Sequence, residues 1–266
     1  MSGERTEKIT PIGELMRDRL AELRQRWEQL EKDPAMKAAL EARDREREAR
    51  REAEARDLRR AALEAAGVPL KVLDELERPE ERVAIQAVRE WFAGEKTFLI
   101  LAGDVDTGKT FAAAFAVSEW FRTAQAALRA RDLEVGRVLA DAGVEAAVRA
   151  FGASERPTRG TPLFRKARQI AALSQYDEDG WRQLHRAPFL AVDDLGTEAL
   201  DAKDWGAAGI RDLIDRRYDD ERRTILTMNL SVETFRARYA QDGGRLFRRF
   251  REAAEWIEIA APTRER

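Results

Sequence analysis

The chain has no cysteine and a single histidine, His185, in 266 residues. That excludes disulfides and cysteine-ligated zinc, and it leaves too few ligands for a protein metal cage. A charge excess is missing too. Lys and Arg number 48 against 50 Asp and Glu, for a net charge of −2. Any surface for nucleic acid must therefore be a local patch. No apolar run is long enough to cross a bilayer, and none follows the first charged residues. A soluble, cytoplasmic protein with no membrane partner is the expectation. What is present suffices for a core: 44% of residues are hydrophobic, in a length suited to one large domain plus an extension.

The most informative stretch is Gly103-Asp104-Val105-Asp106-Thr107-Gly108-Lys109-Thr110. It follows the apolar run Phe98-Leu99-Ile100-Leu101-Ala102 and opens into Phe111-Ala112-Ala113-Ala114-Phe115. Strand, glycine loop and helix in this order are what a phosphate-binding loop needs. Gly103 permits a tight exit from the strand, and Gly108 lets backbone N–H groups approach phosphate oxygens at a helix N-terminus. Lys109 would reach the β and γ phosphates of ATP, and the Thr110 hydroxyl would hold Mg²⁺.

Ahead of this loop, Met16, Leu20, Leu23, Trp27 and Leu30 fall four, three, four and three residues apart. The spacing predicts one helix with an apolar stripe, packed on its own domain or docking a partner. Asp33-Pro34 suits a helix start. From Ala35 to Ala66 the composition is Ala, Glu and Arg, which favours helix but offers no face to bury. A solvated helical spacer is expected, and Gly67 ends it. The organisation is thus 1–66, a helical partner-binding extension and spacer, then 67–266, the catalytic domain. Within the latter, a helix is expected from about Pro79 to Phe92, and the helix after the loop is expected to reach about Ala130. Residues 131–160 read as an insertion, with a strand at Val135 to Leu139, a helix at Val144 to Phe151 and a loop at Arg156 to Gly160. Pro162 to Arg165 reads as a short strand before a helix from Ala167 to Tyr176.

Two further apolar runs end in polar residues. Pro188-Phe189-Leu190-Ala191-Val192 leads into Asp193-Asp194, and Thr224-Ile225-Leu226-Thr227-Met228 leads into Asn229. With Trp256 to Ile259 as a last strand, and helices at 205–218 and 245–251, the pattern is a parallel, doubly wound α/β sheet whose strand ends carry the ligand site. Asp193 would accept hydrogen bonds from Thr110 or from Mg²⁺-bound water. Asp194 would polarise the attacking water, and Asn229 would orient it. Alone, an Asp pair is often a helix cap and a strand-terminal Asn a turn residue. Arg245, Arg248, Arg249 and Arg251 form either a solvated face or a source for an arginine finger.

In this order the loop, Asp193-Asp194, Thr227-Met228-Asn229-Leu230-Ser231 and Gly244-Arg245-Leu246-Phe247-Arg248-Arg249-Phe250 resemble the AAA+ ATPases of the DnaC/DnaI helicase-loader and IstB group. Ala66-Gly67-Val68-Pro69 and Arg217-Tyr218 are similar as well. The resemblance spans about residues 66 to 260. It implies a P-loop (ASCE/AAA+) sheet, without a C-terminal lid, in which residues 103–111 bind ATP, Lys109 and Thr110 meet phosphate and Mg²⁺, and Asp193 supports the metal. It further implies that Asp194 is the catalytic acid position, Asn229 is sensor 1, and Arg249, then Arg245, is the finger acting across an ATP-dependent self-assembly.

For function the resemblance implies a loader that docks a hexameric, DnaB-type replicative helicase through its N-terminal helices and controls its placement on single-stranded DNA. Arg165, Lys166 and Arg168 are the candidate contacts to DNA phosphates. Two other readings remain: an IstB-like transposition helper, and a nucleotide-binding adaptor with little turnover. The family usually has glycine where Asp106 stands and many AAA+ proteins have Glu where Asp194 stands, so modest affinity and slow hydrolysis are expected.

Overall fold

A computed structural model describes residues 19–22, 34–76, 82–151, 160–173, 176–197, 205–239 and 244–260. The chain divides into two compact units, residues 1–58 and 59–266. In the first, residues 19–22 are helical, and Leu20 is exposed. The rest of the expected apolar stripe, and Asp33, lie outside the described residues. Helix α1 (Pro34–Ala66) starts here. Proline at its first position loses no helical hydrogen bond. No residue from 34 to 58 is buried, as its composition requires, and exposed pairs such as Arg50 to Glu54 at 2.9 Å line it.

The second unit includes the last turns of α1, where Leu63 and Ala66 are buried. The border thus falls eight residues before the junction expected at 66/67. Gly67, at φ +97°, closes the helix by donating its N–H to Glu64, while Val68 donates to Leu63. A Cβ there would lie 2.7 Å from the Phe164 carbonyl oxygen. Helices α2 (Leu70–Leu76) and α3 (Val83–Ala93) follow; the start expected for α3 at Pro79 is outside the described residues.

Strand β1 (Phe98–Gly103) leads to α4 (Lys109–Phe151), β2 (Leu163–Lys166), α5 (Ala167–Ala171), α6 (Glu178–Arg186) and β3 (Phe189–Leu195). Then come α7 (Trp205–Asp219), β4 (Arg223–Met228), α8 (Val232–Arg238), α9 (Arg245–Ala253) and β5 (Ala254–Ile259). The sheet order is β2-β3-β4-β1-β5 and every pairing is parallel. Side chains alternate between two cores, as a strand period of two demands. Leu99, Leu101, Phe189 and Ala191 face α2, α3 and the start of α4. Phe98, Ile100, Leu190 and Val192 face α5 to α9.

The 131–160 region departs from expectation. The strand at Val135 to Leu139 does not form. Instead α4 runs for 43 residues, broken at Gly143, where φ is 80° and ψ 178°. The β-branched residues there are outvoted by flanking Ala, Leu, Arg and Glu, and the described sheet gives such a strand no neighbour. Helices α2, α6 and α8 had no clear sequence signal, and α5 stops at Ala171 rather than Tyr176. Among the described residues no helix is long and apolar enough to cross a membrane.

At the end of the sheet where β3 and β4 begin, Arg217 is fully buried. It donates to Thr224 Oγ1 at 2.8 Å and to the carbonyls of Leu184, Ala187 and Arg223 at 3.0, 2.9 and 2.9 Å. Burial pushes its guanidinium down to about 9, with Arg222 adding repulsion.

Candidate functional site

The glycine loop occupies the opposite, C-terminal end of the strands. Gly103 has φ +143°, and a Cβ on it would lie 2.1 Å from the Ile259 carbonyl oxygen. The position is glycine because β5 approaches so closely, and not only for the turn. The loop then turns through Asp106, a non-glycine residue at φ +65°, and Gly108 at φ +83°. Thr107 is tucked in, its hydroxyl donating to the Asp104 carbonyl at 2.9 Å.

Lys109 folds back under the loop it follows. Its ammonium donates to the carbonyl of Gly103 at 3.0 Å, to that of Asp104, and to Thr107 Oγ1 at 2.9 Å. Burial lowers its pKa, and the carboxylates of Asp104, Asp194, Asp193 and Asp106 work against that. Thr110, one residue on, donates its hydroxyl to Asp193 Oδ1 at 2.9 Å. The loop helix and β3 are thus joined at the two residues expected to share a metal.

Strand β3 has a register shift between Val192 and Leu195. The irregularity re-aims the acid pair, as bulges beside functional sites do. Asp193 turns inward and is fully buried. Thr227 on β4 donates its hydroxyl to Asp193 Oδ1 at 2.7 Å and accepts the Asp194 N–H at 3.0 Å. Asp194 takes a left-handed backbone, φ +59°, fixed by Thr197, whose N–H and hydroxyl both donate to its carbonyl at 3.1 and 2.7 Å. Burial raises the pKa of Asp193, and the neighbouring Asp194 charge adds to the rise; Thr227 and Thr110 oppose it.

Asp193 Oδ2 is buried and has no hydrogen-bond partner among the described residues. An orphaned carboxylate oxygen beside the Thr110 hydroxyl is a hard-oxygen donor set that fits Mg²⁺ better than any softer ion. Thr110 and Asp193 are the residues that would hold it.

From sequence, three contributors carry no role at this site. Thr227, which opens the Thr227-Met228-Asn229-Leu230-Ser231 motif, is one. Lys166, at the end of β2, places its ammonium 3.1 Å from Asp194 Oδ2 and 3.9 Å from Asp193 Oδ2. Arg82 lies over the Phe111 ring at 5.4 Å, with a guanidinium nitrogen 3.4 Å from where a Gly108 Cβ would stand. The only hint available beforehand for Lys166 was its place at a strand end.

Other expected residues are placed as follows. Asn229 is exposed just beyond β4. Asp104, Val105 and Asp106 form the exposed tip of the loop, and Phe111 is buried beneath it. Arg249 is held by residues of its own chain. Its guanidinium pairs with Asp215 at 2.6 Å and Asp219 at 3.2 Å, donates to the Asp215 carbonyl, and covers Tyr218. Arg245 is more open, its side chain 56% exposed and 3.6 Å from Asp215. Two of the three DNA-contact candidates have partners within the chain. Arg165 is half-buried, tying the Ala66 and Phe164 carbonyls together at 2.8 Å each, and Lys166 is engaged by the acid pair. Only Arg168 lies on an exposed position.

The glycine loop on β1 is thus separated from the acids of β3 by β4, which carries Thr227 and Asn229. The fold is an α/β fold with a phosphate-binding-type glycine loop after β1 and every strand parallel. No protein-family model matches the sequence, and no curated protein matches it. Several solved structures are similar, three of them as follows. One is the DnaC helicase loader, at 18% identity and TM-score 0.46, over 72% of this chain and 99% of that one. Another is DnaI, at 18% and 0.44, over 71% and 87%. The third is AMPPCP-bound DnaA from Aquifex aeolicus, at 15% and 0.44, over 69% and 49%.

Proposed function

We propose that this chain binds and hydrolyses ATP with Mg²⁺, and that it acts as a loader for a hexameric replicative helicase. The observation that carries the ATPase half is the Thr110 to Asp193 bond at 2.9 Å beside the orphaned Asp193 Oδ2. It joins a phosphate-binding loop to a buried acid where the metal of a nucleotide is needed.

Lys109 leaves the loop carbonyls to meet the β and γ phosphates. Thr110 and Asp193 would hold the cation, which would supply charge neutralisation to the phosphates. Asp194, released from Lys166, accepts a hydrogen bond from the attacking water, and Asn229 at the next strand end steers it. The extra acids Asp104 and Asp106 oppose the triphosphate charge, so affinity is modest, and the short arm of Asp194 holds its carboxylate back from the water, so turnover is slow. A finger drawn from α9 of a neighbouring subunit completes the site. The packing of Arg249 favours Arg245 for this role.

The loader half rests on the motif order from the glycine loop to α9 and on α1, whose stretch from 34 to 58 buries nothing and is free to present an N-terminal docking segment. Single-stranded DNA would be met as part of that assembly. The test is phosphate release by the purified chain beside Lys109→Ala, with capture of the host or phage replicative helicase with and without ATP. Release at least about a hundredfold above that variant, and capture of helicase, are expected. Release equal to the variant removes the ATPase reading. Release without capture removes the loader reading alone.

A further inference from the structure

We propose that the distal part of α4 is a self-association arm that pairs antiparallel with the same helix of a second copy of this chain. The proposal is independent of nucleotide. Residues Ala112 to Val117 of α4 are buried under the sheet, and Phe121 still packs at its margin. From Arg122 onward no described side chain of α4 is buried. Helix at 1.5 Å per residue, from there to Gly143, gives an arm of roughly 33 Å. An isolated helix of this length is marginal in water and gains its stability from a partner.

The arm carries a face to offer. Ala124, Leu128, Val135, Leu139 and Ala142 fall on one side at helical spacing. Leu128 and Leu139 are 40% and 41% exposed.

Charge selects the occupant. Residues 120–131 hold three arginines and no acid, whereas residues 132–145 hold Asp132, Glu134, Asp141 and Glu145 against Arg137 alone. One half is basic and the other acidic, so the arm is complementary to itself when reversed and self-repelling when parallel. With a two-fold axis at the 131/132 peptide, Leu128 meets Val135 of the other copy, Ala124 meets Leu139, and Phe121 meets Ala142. On the flanks Arg129 comes near Asp132 and Arg131 near Glu134. Within the arm the Arg137 to Glu134 pair is exposed, worth little and readily exchanged, whereas Arg122 at its root holds the less exposed Glu119. Gly143 breaks the helix at the point that faces residue 120 of the other copy, where that copy's domain begins.

The test uses the full chain without nucleotide, weighed by sedimentation up to about 100 µM, the weak end of specific association. A concentration-dependent dimer is expected. Leu128→Glu should return it to monomer, as should Arg129→Asp, and adding Asp132→Arg to the latter should restore the dimer. Since the chain has no cysteine, Leu128→Cys protein mixed with Val135→Cys protein should give the mixed disulfide, with neither cross-linking to itself. Circular dichroism verifies that each variant is folded. Monomer at all concentrations, a dimer unaffected by Leu128→Glu, or self-cross-linking of Leu128→Cys would each overturn the proposal.

Discussion

Where β3 and β4 begin, one buried arginine faces four neutral oxygens; where they end, Asp104, Asp106, Asp193 and Asp194 face Lys109 and Lys166. Arg217 at the first end places four of its five N–H donors on oxygens, and the turn beside it passes through Glu221 at φ +51°. The second end holds a carboxylate oxygen without a hydrogen-bond partner among the described residues, and two left-handed non-glycine residues, Asp106 and Asp194. One sheet therefore separates what holds it together from what it does. Hydrogen bonds from one buried cation to neutral oxygens fix the strand starts. The strand ends keep buried acid whose partners among the described residues are Lys166 and threonine hydroxyls, and there a ligand can supply more.

The largest effect should come from breaking the first end. Arg217→Ala leaves four buried oxygens without their donor, and at the usual cost of an unsatisfied group the loss is about 4 kcal/mol. Urea denaturation should show that loss, and nucleotide affinity of the remaining folded protein should not change. A stable Arg217→Ala protein with impaired nucleotide binding would reverse the division drawn between the two ends.

At the other end the same kind of change should act oppositely. Asp193→Asn removes the charge that burial disfavours. The folded-state pKa of Asp193 is raised, so the stability linked to its protonated form is present below its ordinary value of 3.8 and is lost as pH rises through the raised value. Without nucleotide or Mg²⁺, the variant should melt above the wild type at pH 7, with the gap closing toward pH 4. Hydrolysis should fall at least about a hundredfold, and Mg²⁺-nucleotide should stabilise only the wild type. Thermal melts at both pH values, with and without ligand, check the sign.

Much of this arrangement is readable from residue order, because the strands are short apolar runs and polar residues stop each run at the same edge. Lys109, Thr110, Asp193 and Asn229 could be assigned to that edge for this reason. Pairings across the sheet leave no such trace. Thr227 reads as a β-branched core residue until the bulge in β3 brings Asp193 to it, and Lys166 reads as one of three basic residues until β2 is set beside β3. Arg165 reads only as a basic residue, because the partners it has in the fold, the carbonyls of Ala66 and Phe164, are backbone atoms without a sequence signature. The strand expected at Val135 to Leu139 failed because a few β-branched residues cannot outweigh the helix formers around them when no strand edge is offered.

The smallest effect concerns the loop tip. Asp106 sits at φ +65°, a conformation costing an L-residue about 1 kcal/mol. Replacing it by Gly relieves that strain but adds backbone entropy to the unfolded chain worth about as much, so stability should change by less than roughly 0.5 kcal/mol. The charge is a separate matter. An exposed carboxylate near a triphosphate, screened by solvent, costs about 1.4 kcal/mol, and its removal should tighten nucleotide binding about tenfold. Asp106→Asn keeps a side chain that tolerates the left-handed backbone and loses only the charge. If calorimetry gives Asn and Gly the same gain in affinity, repulsion is what weakens this loop. A gain confined to Gly would make the backbone the cause.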